Sequence, residues 1–263
     1  MATRRTSSPP EISRARSAAT QLLSMLRIRA PSEIDVELIA AHRGLAVIYK
    51  PLKNEDGHLV RGGDVGFIVV NQKFEGTPKA RFAIAHELGH YVQHPSVDQF
   101  EICTDSDLHA WYQTSGAEPE ANAFAAELLL PSILFIPKCN KINKPNLHHV
   151  RELAEAFQTS LTATALRLIE CSEEPCAVVY SVEGKIAWSM SNAEFAFKPR
   201  RGATLTTATY AGDLFAGKRV DDRPEIMDGS MWPGGIDIEL QEHSITMPNY
   251  NAVLTLLWHA YRG

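Results

Sequence analysis

The stretch TPKARFAIAHELGHYVQH, residues 77–94, reads as one helix with marked ends. Thr77 suits an N-cap and Pro78 the first helical position, and Pro95 stops the run after about Gln93. Inside it stands His86-Glu87-Leu88-Gly89-His90. Helical residues four apart differ by about 40° in direction and about 6 Å in height, so the two imidazoles can converge on one metal ion. Glu87 lies on the adjoining side of the same turn and can reach a water there without ligating the ion. Zinc lowers the pKa of such a water toward about 7, and a nearby carboxylate takes its proton. The bland alternative is an accidental match on an ordinary helix. The cap, the strand-like run before the helix and Gly89 all count against it. Glycine costs a helix interior about 1 kcal/mol relative to alanine, and a close approach by another backbone or by substrate would explain it.

A catalytic zinc site needs a third protein ligand and an open position. The longer motif with a third histidine would place Gly at 93 and His at 96, where this chain has Gln93 and Ser96. His94 lies about 12 Å along the axis from His86, too far to share an ion with both histidines, and reads as a cation at the helix C-terminus. The next strong helix, residues 117–130, offers Glu118 with Asn122 one turn later on the same side. Glu118 is the predicted third ligand. Asn122 would accept a hydrogen bond from the far nitrogen of a ligand histidine and so fix its tautomer. Other readings stay open. Glu118 also fits a capping box with Ser115. Glu120, about 200° away around the helix, is the fallback ligand, and Glu127 a more distant one. Ala121, Phe124, Ala125 and Leu128 are expected to form the buried face.

RFAIAHELGHYVQH followed by EPEANAFAAELLLP resembles the ImmA/IrrE-type metallopeptidases, over roughly residues 17–170. The resemblance implies a zincin-like core with His86, His90 and Glu118 as ligands, Glu87 as general base and one Zn2+ per chain, with Mn2+ an alternative in the cell. It also implies a protein substrate, a repressor of the XRE helix-turn-helix type, whose cleavage derepresses stress-response or mobile-element genes. Two rivals are a DNA-binding regulator on a zincin scaffold and an interaction module that titrates the repressor without cutting it. An intact Glu87 speaks for the enzyme.

The rest of the chain frames this centre. The fold class is α+β: a tail over residues 1–10, a metallopeptidase domain over 11–135, a helix-turn-helix-like segment over 136–171, and a smaller mixed α/β domain over 172–263. The net charge of −5 disfavours direct DNA binding as the main task. No secretory signal or run of about 18 apolar residues is present, so the cytoplasm is expected and no membrane contact. Cys103, Cys139, Cys171 and Cys176 read as free thiols. Residues 65–70, including Val65, Phe67, Ile68, Val69 and Val70, form the best strand of the first half. Gly66 in that run suggests a sheet edge on which a substrate segment could add as an extra strand, against the alternative of a central strand. His109, Trp111 and Tyr112 read first as a packed aromatic loop, with an oxyanion partner among them as the alternative.

Overall fold

The protein, seen in a computed structural model, is described over residues 9–61, 66–94, 117–142 and 144–259. It is a mixed α+β chain, with eight α-helices and two sheets among the described residues. The chain divides into two compact units, residues 1–134 with 156–160 and residues 135–155 with 161–263.

The first unit begins with α1 (Pro9–Met25) and α2 (Val36–His42). Helix α1 buries Ala15, Ala19, Leu22 and Leu23, the helical spacing the sequence displays. It stops at Met25, short of Pro31, because Arg27 takes a left-handed conformation (φ 58°). The Ile28 N–H then reaches the Leu23 carbonyl and the Arg27 N–H that of Ser24. Helix α2 starts where its cap predicts, with the Asp35 carboxylate accepting from the Glu37 and Leu38 N–H groups.

Strands β1 (Leu45–Lys50), β2 (Gly57–Val60) and β3 (Gly66–Asn71) form a sheet in the order β1-β3-β2. The last strand in sequence therefore occupies the middle, parallel to β1 and antiparallel to β2. This overturns the expected free edge at Phe67, Ile68, Val69 and Val70: both sides of the strand are paired. Val65 lies outside the described residues. The physical reason is burial. Ile68 and Val70 are fully buried, as a near-continuous apolar run requires of a central strand. Gly66 does mark a close approach, but by its own neighbours. A Cβ there would run into the Leu45 side chain and crowd the Val60 carbonyl.

Helix α3 (Pro78–Gln93) follows, with Thr77 Oγ1 accepting from the Ala80 N–H as cap. Helix α4 (Ala117–Leu129) packs against α3 and α1. It is not amphipathic in the expected way: beyond Ala121, Phe124, Ala125 and Leu128, every residue from Pro119 to Leu129 is buried. Its alanines let neighbours cover it all round, and the polar residues buried with them, Glu120, Asn122 and Glu127, have polar partners.

Helix α5 (Ser132–Cys139) spans the division in sequence, and α6 (Leu147–Phe157) and α7 (Leu161–Cys171) follow it. The chain breaks between α6 and α7 at Gln158 (φ 54°), where the pattern predicts a break. Residues 136–171 do not stand as a segment of their own, since 156–160 group with the first unit and the rest with the second.

The second unit carries β4 (Cys176–Val182), β5 (Lys185–Ser191), α8 (Tyr210–Phe215), β6 (Glu225–Asp228), β7 (Glu239–Met247) and β8 (Ala252–His259). Its antiparallel sheet has the order β5-β4-β8-β7-β6. Glu183 and Gly184, both at positive φ, make the tight β4–β5 turn. Trp232, Leu240, Val253 and Leu257 are central to the core. The buried Glu242 ties α8 to the sheet, accepting from the Ala211 N–H, Ser244 Oγ and Trp232 Nε1. Cys139, Cys171 and Cys176 are free thiols. No single described helix is long and apolar enough to cross a membrane.

Candidate metal centre

Helix α3 presents His86 and His90 one turn apart, with Nε2 atoms 2.9 Å from each other. Glu118, in the first turn of α4, meets both: Oε2 lies 3.1 Å from His86 Nε2 and Oε1 3.1 Å from His90 Nε2. Two imidazoles and one carboxylate thus point three donor sets at one spot. A tetrahedral ion with ligands about 2.0 Å away would hold them about 3.3 Å apart. The observed spacings are within a few tenths of an ångström of that. Glu118 Oε2 is buried without a hydrogen-bond donor of its own, as befits an oxygen awaiting a cation. The residues present fit a divalent metal.

The tautomer supports the same conclusion. Asn122 Oδ1 lies 2.8 Å from His86 Nδ1. An amide oxygen only accepts, so Nδ1 carries the proton and Nε2 turns its lone pair inward. Burial opposes charge on His86, but the Glu118 and Glu87 carboxylates outweigh it and raise its pKa, so a cation at this spot would have to displace a proton from Nε2. Burial would likewise raise the Glu118 pKa, yet the two imidazoles hold it well below the usual carboxylate range. Glu87 is itself buried beside this group.

Close approach of the two helices makes the geometry possible. A Cβ on Gly89 would lie 3.0 Å from Ala121 Cα and 3.1 Å from the Ala121 carbonyl oxygen. The glycine that is costly in a helix interior lets the backbone of α4, and with it Glu118, come against α3.

The other carboxylates have different surroundings. Glu120 faces away, 3.7 Å from Arg14 and 3.8 Å from His94. Glu127 accepts from the N–H and hydroxyl of Ser132 and so holds the start of α5. His94 caps α3, donating its N–H to the His90 carbonyl, but it is not the expected cation. Burial and then the neighbouring His90 lower its pKa. Among the described residues, Arg61 brings a cation to this helix end, a contact the sequence does not announce. It follows β2 and donates from one Nη to the His90 carbonyl (3.1 Å) and the His94 carbonyl (2.9 Å). Ser115, His109, Trp111 and Tyr112 lie outside the described residues.

A second three-residue group, His148, Asp222 and His243, sits in the second unit. Its tautomers point the other way. His243 Nδ1 accepts the Leu147 N–H at 3.1 Å, so the proton sits on Nε2, which donates to Asp222 Oδ1 at 3.0 Å. His148 Nε2 is 2.9 Å from the Asp222 carbonyl, which it serves as donor. No imidazole lone pair converges there.

Residues 40–168 match the model of the M78 peptidase family, the IrrE N-terminal-like domain. The chain thus carries an IrrE N-terminal-like domain over this stretch. The match spans α3 and α4 and hence every residue of the metal centre. A solved structure, a Mycobacterium tuberculosis transcriptional regulator, shares the fold with a TM-score of 0.59 over 94% of this chain and 76% of that one, at 15% identity. No curated protein matches the sequence.

Proposed function

We propose that this chain, through its IrrE-like domain, is a cytoplasmic metalloendopeptidase that uses Zn2+ to cut a helix-turn-helix repressor of the XRE type. The observation that carries the enzyme reading is the convergence of His86 Nε2, His90 Nε2 and the Glu118 carboxylate, with the buried Glu87 carboxylate one residue from the first ligand. A divalent ion at that spot supplies Lewis acidity, which lowers the pKa of water and polarises a scissile carbonyl. His86, His90 and Glu118 would hold it, and Asn122 keeps His86 in the binding tautomer. Glu87 takes a proton from the attacking water and delivers it to the leaving amine, so that water adds across the broken C–N bond. A peptide that added to the sheet would have to use β1 or β2, because β3 is paired on both sides.

The repressor substrate rests on the family resemblance. The fold shared with a protein named a transcriptional regulator keeps the titrating module alive as the second reading. Incubating the chain with Zn2+ and an XRE-type repressor separates the two. Discrete fragments that vanish with chelator support the peptidase. A stable complex with an uncut repressor supports titration.

A further inference from the structure

The two histidine ligands are held by different means. His86 lies in the interior of α3, and its ring is fixed by Asn122. His90 lies in the final turn of α3, which ends at Gln93. The last carbonyls of a helix lack intrahelical donors, so a ligand there shares in the fraying of the helix end. Strand β2 lies directly against α3: a Cβ on Gly57 would stand 3.7 Å from the Ala83 Cβ. Arg61 leaves the end of β2 and places one Nη between the carbonyls of His90 and His94. Its guanidinium also sits 4.9 Å from the ring centroid of Tyr91, within cation–π range. Three fixed contacts therefore hold the guanidinium on the turn that carries the second ligand. The cation also sits at the negative end of the helix dipole.

We infer that Arg61 is a positioning residue for the metal ligand His90, acting through the backbone of the last turn of α3. The inference rests on the metal-centre reading above and deepens it. It has an opposite prediction built in. Through space alone, a fixed cation repels a divalent ion, so removing Arg61 would tighten metal binding. If Arg61 positions His90, removing it weakens binding.

The test is Co2+ binding to the full chain, measured by chelator competition and by the visible bands that report ligand geometry. Arg61→Met keeps the stem and removes the charge and donors. It is expected to weaken Co2+ by about 10-fold or more, the range found when a group supporting a ligand is lost, and to shift the bands. Arg61→Lys should recover part of both. Affinity within twofold of wild type with unchanged bands, even with a lowered melting temperature, would reduce Arg61 to a structural cap and overturn the inference. So would tighter binding. Should Arg61→Met fail to fold, Tyr91→Leu takes its place: it releases the guanidinium and should cost about threefold, with no change counting against the proposal. If the wild-type chain takes up no Co2+, the metal-centre reading itself fails, a result distinct from any of these.

Discussion

His86, His90 and Glu118 in the first unit and His148, Asp222 and His243 in the second each bring two imidazoles and one carboxylate close enough to hold a metal ion. What separates them is where the ring protons go. Asn122 draws the proton of His86 to Nδ1 and leaves Nε2 aimed at His90 and Glu118. In the second group a backbone N–H occupies His243 Nδ1, which forces the proton onto Nε2 and closes that nitrogen to a metal. Asn146 completes the arrangement by accepting from the His148 and His149 N–H groups, so the first turn of α6 is capped by Asn146 and His243 together. The first group is built to receive a cation. The second is a latch between β7 and the start of α6.

The sharpest test of the first half of this comparison is Glu87→Gln. The amide is nearly isosteric and cannot take a proton. Cleavage should fall by about 10²–10⁴-fold while metal content stays at one per chain. Near wild-type cutting would remove Glu87 as the base.

Metal analysis tests the comparison itself. Glu118→Ala should lower affinity by more than the 10–100-fold typical of a residue that only supports a ligand, whereas Glu120→Ala should change it little. His148→Ala and Asp222→Ala should leave stoichiometry untouched. A second equivalent of metal that disappears in either variant would mean the tautomer argument is wrong.

Gly89 sets two effects against each other. Alanine is favoured over glycine in a helix interior by about 1 kcal/mol. The added Cβ would press on the Ala121 backbone, and such overpacking costs about 1–3 kcal/mol. The clash is with backbone, which cannot swing aside, so Gly89→Ala should be net destabilising by about 1 kcal/mol in thermal melts. It should also weaken Co2+ binding, because α4 carries Glu118. A more stable variant with full affinity would show that the approach of α4 to α3 is not tight.

Much of this was legible because it is local. Asp35, Thr77 and Pro78 mark helix starts through chemistry that spans three residues, and the His86–His90 spacing is itself a statement of helix geometry. Glu118 with Asn122 is the same kind of signal. What was not legible depends on partners distant in the chain. The run at residues 66–71 says that a strand is buried, but not that β1 and β2 flank it. Arg27 ends α1 in a conformation usually left to glycine, so no residue type announces it. Strand β6 leaves no pattern to read, being four residues long with Ile226 exposed. Arg61 reads as an ordinary surface arginine until α3 is placed beside β2.

The smallest expected effect is a pH dependence confined to the latch. His243 is fully buried, and burial is the main cause of its pKa lying below the ordinary 6.5, with Asp222 pulling the other way. His148 and Arg151 face the same ring and also disfavour its charge. The unfolded chain therefore takes up a proton on this group before the folded chain does. Stability from this group is complete above about pH 6.5 and declines as the pH falls from there toward the folded value. Asp222 has a lowered pKa, chiefly from its bond to His243, so its contribution is lost in the same direction at lower pH. Protonated His243 would set an Nδ1–H against the Leu147 N–H, donor against donor, so the loss should appear first at the start of α6. Amide exchange over residues 144–157, followed from pH 7.5 to 5.5, should show protection at Leu147 decreasing before that of the β7–β8 pairs. His243→Asn retains an acceptor near the Nδ1 position and does not titrate, so its protection should be lower at pH 7.5 but nearly flat with pH. If the wild type and His243→Asn lose protection in parallel, the pH response belongs to other groups and His243 is only a buried cap.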